Sequence, residues 1–528
     1  MSNIHSDHVS EAALADDIAD SPALARVRSF PEIVNDDFHN ALVNTRSFEG
    51  PVSNEEEYDK VQDTSKTPPS SSSPSPVLEK ESSHIPAPPA HPAKHGFFSK
   101  HLKAKRYVVI KKLFTSVLIM GTLMLAFFSI YWGAFYKRLS YLDRIELWVI
   151  NYDNAEDAVL GSAFVSAATE YAAATKSIRV VEHNASEYND IGRLESMIVG
   201  ERIWGLFVIS SNATTLLRSA LEDPTSSVSM EYNASTTVRF MYSQARDQLA
   251  MGYVATFVYE LAANASTVIA TQIFHDVAAG NISSAGLSEI AASAPHVLAA
   301  PVAVGFDNLR PFDNPIATAT TQVGLIFIVI TSFFQFNFFQ PVHMLIAQDL
   351  KRTHLILYRV FSSWIAYFFL SLFYSLVSLA FQIDFTRAFG RAGFVVFWIF
   401  NWLGMMAVGT LLENLALFCI ATYPPMLGFG LIFIVISNIA SAFYSIPLQN
   451  VFYRYGYGYP IKNLADATRT ILFDTRNVMG RNAGVLLAWI AFDISVMPLT
   501  MMYFNWQMGR RARAAAAAAA AAKAGGGK

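Results

Sequence analysis

Two carboxylates stand inside runs that are otherwise apolar, Glu413 and Asp493, together with the amides of Gln335, Asn337, Gln340, Asn401, Asn414 and Asn438. A carboxylate near the middle of a bilayer costs roughly 2.5–3.5 kcal/mol on insertion scales, so Asp493 should face a partner or a wet cavity. It would then serve either as a coupling group for transport or as a packing hydrogen bond to a neighbouring helix. Glu413 reads as lying nearer the cytoplasmic interface and solvated. Asn337, Asn401 and Asn438 read as hydrogen-bonding residues between helices. Asp493, Asn337, Asn401, Asn438 and Glu413 are therefore the candidates for lining a substrate pathway.

A second chemistry is written in the N-x-[ST] glycan acceptors, Asn184, Asn212, Asn233, Asn264 and Asn281, all of which fall between residues 137 and 317. Such an acceptor is used only on a lumenal or extracellular surface, so this stretch is expected outside the membrane with the rest hung from it.

Other chemistries lack their residues. Cys419 is the single cysteine, which excludes an intramolecular disulfide and a cysteine-based zinc cluster. The sequence has no G-x-x-x-x-G-K-[ST] phosphate loop, so an ATP-driven exporter would need a partner subunit. It has no G-x-S-x-G elbow or H-E-x-x-H pair either, and the expectation is a protein that is not an enzyme and takes no cofactor or metal. His343 and Asp349 are one residue too far apart for the His-x4-Asp arrangement of acyltransferases. They read as an interfacial histidine followed by a solvated aspartate.

The elements that must position these groups follow from composition. The chain has 528 residues, 52% hydrophobic and 15% charged, with a net charge of −3, and a mean hydropathy of +0.30. This is too apolar for an ordinary soluble protein and implies a polytopic α-helical membrane protein. Residues 1–92 form an acidic, Ser/Pro-rich segment expected to be a disordered cytoplasmic tail, and they lack the apolar region of a signal peptide. Residues 93–136 hold a basic band, Lys94 to Lys112, running into a first apolar helix from Leu113 to about Phe135, so this end should be cytoplasmic. The band could also contact anionic membrane lipids.

Residues 137–317 read as an external α/β domain with strands at Ile145–Asn151, Ser177–Val181 and Ile203–Ser210 and a long helix from Tyr242 to Asp276. Residues 318–508 then supply five further spans, at about 318–340, 358–382, 393–415, 425–446 and 484–505, giving six transmembrane helices with the α/β domain inserted between the first two. The bases of the loop around Lys351, Arg352 and Arg359 fall inside, as do Arg510, Arg511 and Arg513 in the Ala-rich cytoplasmic tail 509–528. Residues 447–483 carry Arg454, Lys462, Arg469, Arg476 and Arg481 on the outside, against the charge rule.

Several passages bring a family into view. Ser129-Ile-Tyr-Trp-Gly-Ala-Phe-Tyr136 followed by Ile145-Glu-Leu-Trp-Val-Ile-Asn-Tyr-Asp153 resembles the first helix and opening strand of the fungal nitrosoguanidine-resistance membrane proteins. Trp204 to Thr214 is similar to that family's second strand and asparagine-containing turn. Tyr453-Arg-Tyr-Gly-Tyr-Gly-Tyr-Pro460, Arg469 to Asp474 and Gly480 to Trp489 match best, and the likeness runs from about residue 107 to 508.

The resemblance implies a long external loop after the first helix and five clustered helices, as in phage-infection-protein-like proteins and ABC-2-type permeases. A partly re-entrant segment before the last helix, as in those exporters, would account for residues 447–483. It further implies plasma-membrane export of, or resistance to, toxic compounds, with membrane lipids and a small amphipathic substrate as partners, no nucleic acid, and a homo-oligomer left open. The competing expectation is a non-transporting regulator or scaffold of lipid organisation or stress response.

Overall fold

Alternating apolar side chains start a sheet directly after the first long helix. The structure, a computed structural model, describes residues 97–154, 158–279, 284–347 and 349–525. The expectations for the tail 1–92 and for Asn281 lie outside the described residues.

Helix α1 (Lys103–Phe135) leads into strand β1 (Glu146–Asn151), where Leu147 and Val149 face one side and Trp148 and Ile150 the other. Helix α2 (Leu160–Thr175), β2 (Arg179–His183), α3 (Ile191–Val199), β3 (Gly205–Ile209) and α4 (Ala213–Glu222) follow. Strands β4 (Val238–Tyr242) and β5 (Val304–Asn308) then flank helices α5 (Gln248–Ala278) and α6 (Ser284–Ser293). The sheet order is β2-β1-β3-β4-β5, with β4 antiparallel to β3 and the other neighbours parallel.

All five residues of β3 are buried, as a central strand covered on both faces must be. Helices α2, α4 and α5 pack with Leu147, Val149, Phe207 and Phe240 on one face. Leu194 and Ile198 of α3 pack with Ile150, Leu206, Val208 and Met241 on the other. The chain leaves the helical path expected from Tyr242, because Tyr242 ends β4. Helix α5 starts only after Asp247, whose carboxylate accepts the amides of Leu249 (3.1 Å) and Ala250 (3.0 Å).

The longer helices that follow are α7 (Gly324–Ile346, entered through a π-helical turn at Ala319–Val323), α8 (Arg352–Ala380), α9 (Gly393–Thr422), α10 (Met426–Ala442), α11 (Pro460–Phe473) and α12 (Met479–Gly525). Among the described residues, five helical stretches are long and apolar enough to cross a membrane: Lys103–Phe135, Ala319–Ile346, Arg352–Ala380, Thr386–Thr422 and Met479–Ala521. The protein is thus a polytopic helical membrane protein. Helix α10 is shorter, at 17 residues.

Helix α8 shows the logic of a lipid-facing helix in its two stripes. Leu357, Phe361, Ile365, Phe369, Phe373 and Val377 recur every four residues and are all more than half exposed. The opposite stripe is polar and buried. Water outside would invert this pattern, whereas hydrocarbon outside requires it.

Contacts fix the helix directions. Helices α7 and α8 are antiparallel, joined at Thr320–Ser378 and Gln335–Ser363. Helices α8 and α9 are antiparallel, joined at Ser375–Asn401 and Arg359–Glu413. Helix α10 runs parallel to α1, with the rings of Phe127 and Phe433 5.1 Å apart and those of Phe135 and Tyr444 4.3 Å apart. Helix α12 runs parallel to α9, where Arg511 caps the carbonyls of Ile420, Ala421 and Thr422.

Residues 447–483, the region whose bases defied the charge rule, fold into short 3-10 turns and α11, which is buried along nearly its whole length. Lys462, Arg469 and Arg481 all surround Asp466, the last two at 3.7 and 3.8 Å. The same end of the bundle is clamped to the α/β domain: Arg310 pairs with Asp474 at 2.6 Å, Arg144 donates to the carbonyls of Pro447 and Gln449, and Leu448 enters the domain core.

Candidate functional site: a polar seam inside the helix bundle

The buried stripe of α8 consists of Arg359, Ser363, Tyr367, Ser371, Ser375 and Ser378, spaced by four residues and finally three. At 1.5 Å per residue it extends about 28 Å, close to the ~30 Å of a hydrocarbon core. Polar residues of α7 and α9 meet it along this length. At the end nearest the α/β domain Ser378 lies 3.4 Å from Thr320. Below it Asn401 donates to Ser375 at 3.1 Å. At the far end Gln335 donates to Ser363 at 3.4 Å, and Ser363 donates to Glu413 Oε2 at 3.3 Å. Arg359 Nε donates to Glu413 Oε1 at 2.7 Å, and its Nη2 lies 2.6 Å from the same oxygen, too oblique to donate.

Several atoms of this seam have no partner: Tyr367 Oη, Gln335 Oε1, Asn401 Oδ1 and, at the far end of α7, His343 Nδ1. All four residues are buried. A buried polar atom left unpaired costs on the order of 1–3 kcal/mol, so a row of them between three helices can receive water or another polar group. Gly409 of α9 lets the Tyr367 ring approach closely, since a Cβ there would run into its Cε2 at 2.7 Å.

Glu413 is therefore not solvated, as its sequence position suggested. Its side chain is 2% exposed and pairs with Arg359, which itself lies in the helix bundle and not among loop bases. His343 is likewise buried, its ring 5.5 Å from that of Tyr358 rather than at an open interface, whereas Asp349 is exposed. Asn337 does not join helices, because α7 turns it to the exposed side, away from Gln335 and Phe336.

Asn401 bridges α9 to α8 as expected, and Asn438 accepts the amide of Ile461 at 3.3 Å, tying α10 to α11. Asp493 is buried outside the seam, on α12. Its carbonyl accepts from Asn414 at 2.9 Å, Thr500 donates to Asn414 Oδ1 at 2.8 Å, and its own Oδ2 has no partner. The seam thus unites Glu413 and Asn401 of the five candidates and leaves Asp493, Asn438 and Asn337 elsewhere. Arg359, Ser363, Tyr367, Ser371 and Ser375 escaped sequence reasoning, although their four-residue spacing opposite a phenylalanine stripe was the available signal.

In the α/β domain, the crevice where the strand order reverses between β1 and β3 is the usual ligand position of such sheets. Here the buried Asp153 carboxylate fills it, accepting Gly161 N at 3.2 Å, Thr214 N at 3.3 Å and Thr214 Oγ1 at 2.5 Å. The openings of α2 and α4, which favour an anion, are served by the protein's own side chain. The four described glycan acceptors, Asn184, Asn212, Asn233 and Asn264, are all exposed.

A family described as "Protein of unknown function (DUF3533)" matches residues 116–495. An "Uncharacterized endoplasmic reticulum membrane protein" of Saccharomyces cerevisiae (strain ATCC 204508 / S288c) is 30% identical over 440 residues, covering 80% of this chain and 85% of the relative. No solved structure matches.

Proposed function

Because the chain belongs to this DUF3533 family of membrane proteins, we propose that it is a six-span transporter of small amphipathic molecules, with the polar seam between α7, α8 and α9 as the path. The observation that carries the reading is the membrane-length run of buried polar groups with unpaired members. Purely structural interhelical hydrogen bonds would use their partners up. The resemblance to nitrosoguanidine-resistance proteins and ABC-2-type permeases points the same way, toward export and resistance.

The sixth crossing is α10. Its run parallel to α1 returns the chain to the α/β side before α12 leaves again, so both ends of the bundle share one face, the cytosolic one. The α/β domain and its exposed glycan acceptors then face away from the cytosol, and 447–483 is an outer segment buried in protein. The relative's name carries the endoplasmic reticulum, and we assign this chain to a membrane of the secretory route beginning there, rather than to the plasma membrane alone.

The test is efflux of a fluorescent amphipathic dye from vesicles holding the purified protein. Tyr367→Phe should slow it severalfold while thermal unfolding stays at or above the wild-type midpoint, since it removes an unpaired buried hydroxyl. Flux equal to that of empty vesicles would instead support the scaffold reading, which the internal pairing of Arg359 with Glu413 favours.

A further inference from the structure

A cavity of about 340 Å³ opens where the α/β domain meets the bundle, and its lining includes Asp313, Gln382, Asp384, Arg387, Leu472 and Phe473. That volume lies within the ~300–1,000 Å³ of small-molecule sites. Its floor is apolar, with Ala317, Ile383, Leu472 and Phe473 all 5% exposed or less. The floor meets the end of the seam where Ile383 N donates to the Ser378 carbonyl at 3.3 Å. Tyr374 packs against the same apolar cluster, and its buried hydroxyl has no partner.

The rim sets two carboxylates against one guanidinium. Arg387 pairs with Asp313 and lies 3.7 Å from Asp384, linking the irregular segment that follows β5 to the connection between α8 and α9. Nearby Arg310 and Asp474 neutralise each other.

We propose that this cavity is the α/β-side mouth of the seam and that it takes an amphipathic molecule bearing an organic cation, an ammonium or guanidinium group. The surplus carboxylate attracts the charge and the apolar floor receives the hydrocarbon part. The floor and the Arg387 bridge close the mouth until that cation competes for Asp313 and Asp384. Both carboxyls are held below their ordinary range, Asp313 chiefly by the hydrogen bond from Arg387 and Asp384 by that from Thr386, so they stay charged at neutral pH. The substrate class rests on the transport reading above, whereas the binding site does not.

The experiment is calorimetric titration of the purified full-length protein in detergent with benzyltrimethylammonium and with its uncharged carbon isostere, neopentylbenzene. The cation should bind and the isostere should not. Asp384→Asn should weaken binding about tenfold, the effect of one lost charge contact, and Arg387→Gln should tighten it. Misfolding cannot produce changes of opposite sign. Absence of cation binding, equal binding of the isostere, or weakening by Arg387→Gln comparable to that by Asp384→Asn overturns the proposal. Charge-dependent binding without flux in vesicles would remove the transporter and keep the site. Flux of an uncharged dye without cation binding would do the reverse.

Discussion

Arg359 of α8 and Glu413 of α9 form an ion pair at 2.6 Å with side chains only 7% and 2% exposed. Both charges are buried, so each depends on the other, and Glu413 also accepts from Ser363.

Glu413→Leu or Arg359→Met alone should destabilise the protein by about 3–5 kcal/mol, because each leaves one buried charge unpaired. The double variant Arg359→Met/Glu413→Leu should recover most of that loss. Unfolding of the three variants in detergent measures the difference, and a double variant as unstable as the sum of the singles would contradict the pairing.

Asp153→Ala should unfold the α/β domain at lower temperature than the wild type. The change strips the carboxylate from the openings of α2 and α4 and leaves Gly161 N and Thr214 Oγ1 short of an acceptor. A loss of about 2–4 kcal/mol is expected for two or three buried hydrogen bonds to a charged group. Circular dichroism during thermal melting reads it.

Enzymatic deglycosylation should increase the gel mobility of the protein expressed in a eukaryotic cell. Stepwise Asn→Gln replacement at Asn184, Asn212, Asn233 and Asn264, each exposed, should reduce the shift in increments. Unchanged mobility of the wild type would place the α/β domain in the cytosol and reverse the proposed orientation.

The bridge between Asp313 and Arg387 should weaken in acid. Asp313 titrates below its ordinary 3.8 when folded, so its contribution to stability is complete above about pH 3.8 and is lost as the pH falls through the lower folded value. The difference in thermal midpoint between wild type and Arg387→Gln should therefore be present at neutral pH and shrink below 3.8. A difference that grows in acid would contradict the sign.

The first three strands were legible because runs such as Leu147–Val149–Ile150 combine β-branched residues with alternation, and their observed limits differ from the expected ones by a residue or two. Strands β4 and β5 were not. Val238–Tyr242 runs straight toward a helical pattern, and Val304–Asn308 carries a glycine and an aspartate, both poor strand formers, held in place by pairing with β4.

The long apolar helices were legible from length alone, but which face of each turns inward was not. Arg359 and Glu413 lie on separate helices, 54 residues apart, and nothing local announces their meeting. Read singly, each looked like a charge near a membrane surface. Only the spacing of Ser363, Tyr367, Ser371 and Ser375 against the exposed phenylalanines gives α8 an inner side, and it was overlooked because serines in an apolar run lower hydropathy too little to attract notice.

Seventeen residues carry α10 only about 25 Å, some 5 Å less than an average hydrocarbon core. Where a spanning α10 meets lipid, acyl chains would shorten or the leaflets dimple inward, at fractions of a kcal/mol for each ångström, whereas the 33 residues of α1 need no such adjustment. If α10 is the sixth crossing proposed above, the protein would deform its host bilayer on that flank and gather short-chain lipids there, giving it a preferred membrane thickness.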